Sequence, residues 1–214
     1  MQYSTFAAID IGSYDVILEI FEISKKQGIR SVDKICHRME LGKDTYTLGK
    51  IRPEMEEELC RVLADFVRIM EGYRVDDYRA TASSAISEAS NSLYVLGKIH
   101  QLTGLSVTVL SNSEQRFLSY KALAAMEDNF NKIIEKGTAI LDLDGGSFQI
   151  SLFDKDALVT TQNIRMGSLR IRERLAGIQS ETEHYEEMVE ELIWNEVSSF
   201  KKMYLKDRKI ENIM

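Results

Sequence analysis

Two segments far apart in this chain share one pattern: FAAIDIGSYD, Phe6 to Asp15, and TAILDLDGGSFQISLF, Thr138 to Phe153. Each is an apolar run that ends in an acid, passes through Gly and Ser, and re-enters an apolar run. Small and β-branched residues before the acid favour a buried strand. Gly then breaks the strand, because it takes positive φ without strain and exposes its N–H. Each segment therefore predicts a β-hairpin with an Asp and a glycine turn at its tip. Backbone N–H groups in such turns form anion-binding concavities. An Asp beside a phosphate repels it unless a cation lies between them. Asp10 and Asp142 accordingly point to Mg²⁺, a hard ion that takes one or two carboxylates together with phosphate oxygens and water. Two such tips, facing each other from two domains, would hold a phosphate chain and its metal. Either segment taken singly also fits an ordinary hairpin with an acidic turn; the repetition is what favours a site.

Composition narrows the partners. The 214 residues allow one large domain or two small ones. A net charge of −7 argues against binding a nucleic-acid duplex non-specifically, while a local basic pocket stays open. No apolar run has membrane-spanning length and the N-terminus goes straight into a strand, so neither anchor nor leader is expected. Cys36 and Cys60 lack metal spacing, which fits a reduced, cytoplasmic setting. Both are expected to be small buried residues. His37, His100 and His184 are scattered and form no ligand set. One proline, Pro53, and no low-complexity stretch leave no flexible linker.

The order of elements is legible. Tyr3 to Asp10 and Val16 to Ser24 make the first hairpin, and Ser31 to Glu40 a third strand. Pro53 starts a helix that carries Leu59, Val62, Leu63, Phe66 and Met70 on one stripe to Gly72. Tyr78 to Ala82 is a strand. Asn91 caps a helix to about Thr103, and Leu105 to Leu110 is the next strand. Ser113 is expected to cap one long helix running to about Ile134. After the second hairpin come a strand, Leu158 to Arg165, a helix from Gly167 to Leu175, and an amphipathic helix from Glu181 to Tyr204. Trp194 falls at helical spacing with Met188, Leu192 and Val197 and is expected in the core. Three strands, then helix and strand in alternation, predict an α/β fold of mixed sheets flanked by helices.

The chain resembles the Ppx/GppA family of exopolyphosphatases and guanosine pentaphosphate phosphohydrolases. DIGSYD is similar to the family's DIGSNS, and RMELGKDTYTLGKIRPE to its R-x-x-L-G-x-G segment. ASSAISEASN is similar to ATSAIREAxN, TGLSVTVLSNSEQRFL to the stretch ending in EEARL, DLDGGSFQISLF to DIGGGSTELVL, and IRMGSLRIRERL to LPLGAVRLTE. The resemblance implies an actin-like ATPase (ribonuclease H-like) core, shared with sugar kinases and heat-shock chaperones. It implies an N-terminal subdomain over 1–125 and a partial second subdomain over 126–214, short of its later strands and helices. KIENIM reads as the opening of a strand, whose unpaired edge would be a dimer surface. The implied chemistry is removal of terminal phosphate from polyphosphate or a phosphorylated guanosine nucleotide with Mg²⁺. Asp10 and Asp142 would be the metal-side acids. Gly12, Ser13, Gly145, Gly146 and Ser147 would cradle phosphate. Glu114 would be the catalytic carboxylate. Arg170, Arg172, Glu173 and Arg174 fit a solvated helix face; alternatively, since Arg170 matches a family Arg, the resemblance implies that it would reach the cleft.

Several positions depart from the family pattern. Tyr14 and Asp15 replace Asn and Ser, Ser87 replaces an Arg, Gln115 replaces the second acid of a Glu pair, Asp144 replaces the middle Gly of the second turn, and Gln149 replaces a Glu. Ser cannot supply the bidentate phosphate contact of Arg, and Gln cannot accept a proton as a base. Three readings follow: an active Mg²⁺-dependent phosphohydrolase with weakened turnover, an inactive phosphate- or nucleotide-binding relative, or a piece of a longer family member.

Overall fold

A hairpin opens the molecule. The computed structural model describes residues 3–177, 184–206 and 208–214. In it β1 (Ser4–Ile11) and β2 (Asp15–Ser24) pair antiparallel from Ser4↔Ile23 to Ile11↔Val16. Strand alternation puts Ala7, Ile9 and Ile11 of β1 and Val16, Leu18 and Ile20 of β2 into the core. β3 (Gly28–Arg38) lies along the outer side of β2. Two helices follow, α1 (Leu41–Leu48) and α2 (Pro53–Gly72). Pro53 opens α2, where its missing N–H has no intrahelical partner to lose, and the predicted stripe from Leu59 to Met70 is buried. β4 (Asp77–Ala82) then runs parallel to β1 on the side away from β2. The short α3 (Ser84–Ser87), α4 (Ser92–Thr103) and β5 (Val107–Val109) complete a sheet of order β3-β2-β1-β4-β5.

The second half repeats this winding. After α5 (Asn112–Met126) and α6 (Phe130–Ile134), β6 (Thr138–Leu143), β7 (Phe148–Asp154) and β8 (Ala157–Ile164) form a meander. Two helices follow, α7 (Ser168–Leu175) and α8 (Tyr185–Tyr204), as α1 and α2 follow β3. β9 (Asn212–Ile213) then pairs parallel with β6, as β4 does with β1. The sheet order is β8-β7-β6-β9, and among the described residues no strand stands in the place of β5.

The chain divides into two compact units, Met1–Ser111 and Asn112–Met214. α5, which the expected boundary at 125/126 assigned to the first subdomain, belongs to the second unit. Each unit has its own core. The first is one large cluster that includes Leu59, Leu63, Phe66, Ile86, Val95 and Ile99. The second unit has two smaller ones. Ala139, Ile150, Leu152, Ile164 and Phe200 make the first of these. Phe130, Ile134, Ile140 and Phe153 make the other, with Tyr120 edge-on to Phe153 at 5.1 Å.

Four local expectations are corrected. The helix expected over 113–134 is two helices, because Asp128 and Asn129 interrupt it: the Asn129 N–H turns to the Glu127 carboxylate (3.3 Å) and the chain restarts at Phe130. Ser113 and Asn91 do not cap with their side chains. Ser113 lies inside α5, and the Asn91 amide instead receives the Ile51 N–H (3.0 Å) and donates to the Ile51 carbonyl and to Glu56 (both 2.8 Å). Trp194 is 62% exposed. It sits six residues before buried Phe200, about 120° around the helix from the stripe that meets the sheet.

Cys36 is the fourth correction. It is exposed, on the outward row of edge strand β3 with Lys34 and Arg38, whereas Cys60 on α2 is buried as expected. Desolvation raises both thiols above the ordinary value, and Asp15 adds to the effect at Cys36. A disulfide reagent at neutral pH is therefore expected to titrate one thiol per native chain, slowly, and two in denaturant; two native thiols would contradict this packing.

Candidate functional site

The first hairpin tip is held by its surroundings through main-chain and hydroxyl contacts. Asp10 is exposed near the end of β1. The Gly12 N–H closes the turn on the Asp15 carbonyl at 3.0 Å. Gly12 does not take the positive φ expected of it; it is needed for space, since a Cβ there would lie 2.9 Å from that carbonyl oxygen. The Met39 and Glu40 N–H groups both donate to the Tyr14 carbonyl (3.0 Å), and the Gly42 N–H donates to the Ser13 carbonyl (2.8 Å). Ser13 is buried, and its hydroxyl joins a ring of three. Tyr46 Oη of α1 is 2.6 Å away and Ser84 Oγ of α3 is 3.3 Å away, with 2.8 Å between those two. Tyr14 lies under Arg38, whose guanidinium carbon is 4.3 Å from the ring centroid and which also donates to the Tyr14 hydroxyl and to Glu40. α1 is fixed in turn by buried Asp44, which accepts the Arg52 backbone N–H (2.9 Å) and its guanidinium.

The second tip follows the same turn geometry. The Asp144 N–H closes on the Ser147 carbonyl at 3.0 Å, so Asp144 holds the turn position of Gly12. Its side chain caps the turn: Oδ1 accepts the Gly146 N–H at 2.5 Å and the Ser147 N–H at 2.7 Å. α7 grips the other side. Ser168 N–H donates to the Asp144 carbonyl (3.0 Å), Arg170 N–H to Gly145 (3.1 Å) and Arg170 Nε to Gly146 (3.0 Å). The Arg170 side chain thus holds the turn's backbone. Gly167, the residue before α7, presses directly on this loop.

α5 meets the same end of β6. Ser119 donates to Asp142 Oδ2 at 2.9 Å, and Gln115 Nε2 lies 3.5 Å from Asp144 Oδ2. These two residues are one helical turn apart and lie on one face. Glu114 adjoins Gln115 in the first turn of α5 and is exposed. The second unit therefore brings Asp142, Gly145, Gly146, Ser147 and Arg170 to one strand end, with Glu114 next to Gln115 on α5; Asp10, Gly12 and Ser13 belong to the first. Ser87 ends α3 and is exposed. Tyr46, Ser84, Ser119 and Arg38 at these tips were not singled out from sequence. Arg38, Tyr46 and Ser84 lie in matched segments and Ser119 directly follows one, but nothing in the spacing marked any of them.

The chain belongs to the Ppx/GppA phosphatase family, whose model matches residues 19–213. Its relatives include the bifunctional 3-dehydroquinate synthase/phosphatase of Fusobacterium nucleatum, 22% identical over 174 residues, 78% of this chain and 26% of that one. Exopolyphosphatase 1 of Mycobacterium tuberculosis is 24% identical over 67% of this chain and 40% of its own. Among solved structures, the Aquifex aeolicus Ppx/GppA family member superposes with a TM-score of 0.71 at 23% identity, covering 99% of this chain and 65% of that one. An exopolyphosphatase-like protein gives a TM-score of 0.76 at 20% identity, with coverages of 94% and 62%. The fold is the actin-like α/β fold expected from the sequence. The chain spans less than half the length of these curated relatives and about two thirds of the solved ones.

Proposed function

We propose that this chain is the phosphate-handling part of a phosphoanhydride hydrolase that releases terminal phosphate from polyphosphate or guanosine pentaphosphate. The observation that carries this reading is the repeated tip: two turns closed by the same backbone bond, each next to a strand-end Asp and each containing Ser. Relatives named as exopolyphosphatases support the substrate class. Asp10 and Asp142 would hold Mg²⁺, which supplies charge neutralisation at the transferred phosphoryl. Both are hard oxygen donors, and Mg²⁺ needs only one or two carboxylates when substrate oxygens and water complete its shell. Ser119 fixes the Asp142 carboxylate through its 2.9 Å hydrogen bond. The Ser13 hydroxyl ring would orient phosphate oxygens. Glu114 would take the proton of the attacking water, since its neighbour Gln115 cannot. A cytoplasmic setting fits such substrates; among the described residues no helix is long and apolar enough to cross a membrane.

Gln115 in contact with Asp144, in place of a second acid, favours a second reading: a phosphate- or nucleotide-binding relative without turnover. The experiment is phosphate release from long-chain polyphosphate and from guanosine pentaphosphate with Mg²⁺, on wild type and Glu114→Gln. Loss of a general base is expected to lower release about 100-fold or more while leaving the ligand-induced rise in melting temperature intact. Equal release from both proteins would refute hydrolysis through Glu114, and a thermal shift without turnover would leave the binding reading.

A further inference from the structure

We infer that Asp144 is a built-in anion: its carboxylate fills the phosphate nest of the second turn, so that this turn in the wild-type chain is closed to phosphate. The inference rests on the reading of the two tips as phosphate cradles. The Asp144 side chain reaches back to the N–H groups of its own turn, with one oxygen 2.5 Å from the Gly146 nitrogen and 2.7 Å from the Ser147 nitrogen. Converging backbone N–H groups of this kind are what a phosphate oxygen would use, and charge-assisted bonds to a carboxylate are among the stronger hydrogen bonds.

The chain supplies its own comparison. Gly12 and Asp144 occupy the same place, two residues after the strand-end Asp, and each donates its N–H to the carbonyl three residues on at 3.0 Å. In the first tip that place has no side chain. In the second it carries an acid. The turn cannot readily offer other N–H groups by flipping. The carbonyls of Asp144, Gly145 and Gly146 are bonded to the start of α7, and Gly167 packs against the backbone behind them. An acid at the first position of a turn commonly bonds the next N–H groups in any protein. What gives the bond a functional consequence here is its place, at the strand end that also bears Asp142 with Ser119 and Gln115 beside it.

The test is titration of tripolyphosphate with Mg²⁺ into wild type, Asp144→Gly and Asp144→Ala, followed by calorimetry and by the backbone amide resonances of Gly146 and Ser147. Neither replacement can bond the turn, and Asp144 does not have positive φ, so alanine fits the backbone without strain. Both variants are expected to bind at least about tenfold tighter than wild type, with the two amides shifting on addition of ligand; in wild type those amides stay put. Unchanged affinity in folded Asp144→Ala, or wild-type amides that already shift, overturns the inference. Ser13→Ala in the wild-type background separates the two failures. If it weakens tripolyphosphate binding while Asp144→Ala changes nothing, the family reading stands and the filled nest falls. If no protein in the set binds tripolyphosphate, both fall.

Discussion

Replacing Gly167 with alanine is expected to destabilise the second unit by about 3 kcal/mol or more, the upper range for overpacking a rigid site. A Cβ at this position would lie 2.4 Å from the Gly145 carbonyl carbon, 2.4 Å from the Ser147 nitrogen and 2.5 Å from the Gly146 nitrogen. All three are backbone atoms, so no side chain can rotate away. The turn would have to withdraw from α7, breaking the bonds from Ser168 and Arg170 that fix it. The chain has a single tryptophan, Trp194 on α8 in this unit, so fluorescence in a denaturant titration reports the right half of the molecule. The midpoint should fall with little change in slope. An unchanged midpoint would mean that the loop does not sit against Gly167.

Removing the Asp44 carboxylate should have the largest effect in the first unit. Asp44 is 1% exposed and accepts from Arg52 through its backbone N–H (2.9 Å), Nε (2.9 and 3.0 Å) and a terminal nitrogen (2.9 Å). Breaking a buried pair by deleting one partner costs about 3–5 kcal/mol when the other charge stays buried. Arg52 is half exposed and regains water, which places Asp44→Ala nearer about 2–3 kcal/mol. The damage should not stop at stability. α1 carries Tyr46, so a loosened α1 disorders the hydroxyl ring on Ser13. Thermal unfolding by circular dichroism checks the first effect. Asp44→Asn should recover part of it, because the amide oxygen still accepts the Arg52 N–H. A variant as stable as wild type would show that the pair contributes nothing.

The elements that carry strong local signals were legible in the sequence. Alternating small and branched residues announced both hairpins, Pro53 announced the start of α2, and Gly167 the start of α7. α1 was not legible. LGKDTYTL has no apolar period, and its start is set by Glu40 in a left-handed conformation (φ 53°) that follows from packing against the first tip. The start expected for α8 at Glu181 lies outside the described residues, which resume before Tyr185. The site was legible where it lies in one segment: the turns, the strand-end acids and the family resemblance all come from contiguous residues. Its partners were not. Tyr46 reaches Ser13 across 33 positions and Ser119 reaches Asp142 across 23, and only the fold brings them close. The role of Asp144 was half visible. Its negative charge could be read from sequence, but its bonds to the N–H groups of its own turn depend on the backbone conformation.

α5 starts where the second unit starts, yet it is more than a connector. Gln115 and Ser119, one turn apart on it, reach the two acids at the end of β6. The first helix of the second unit is therefore also a wall of the second tip. A gene rearrangement or a deliberate dissection that cuts just before Asn112 delivers the second half with the polar frame of Asp142 and Asp144 intact. A cut at residue 126, at the end of α5, strips both acids of these partners.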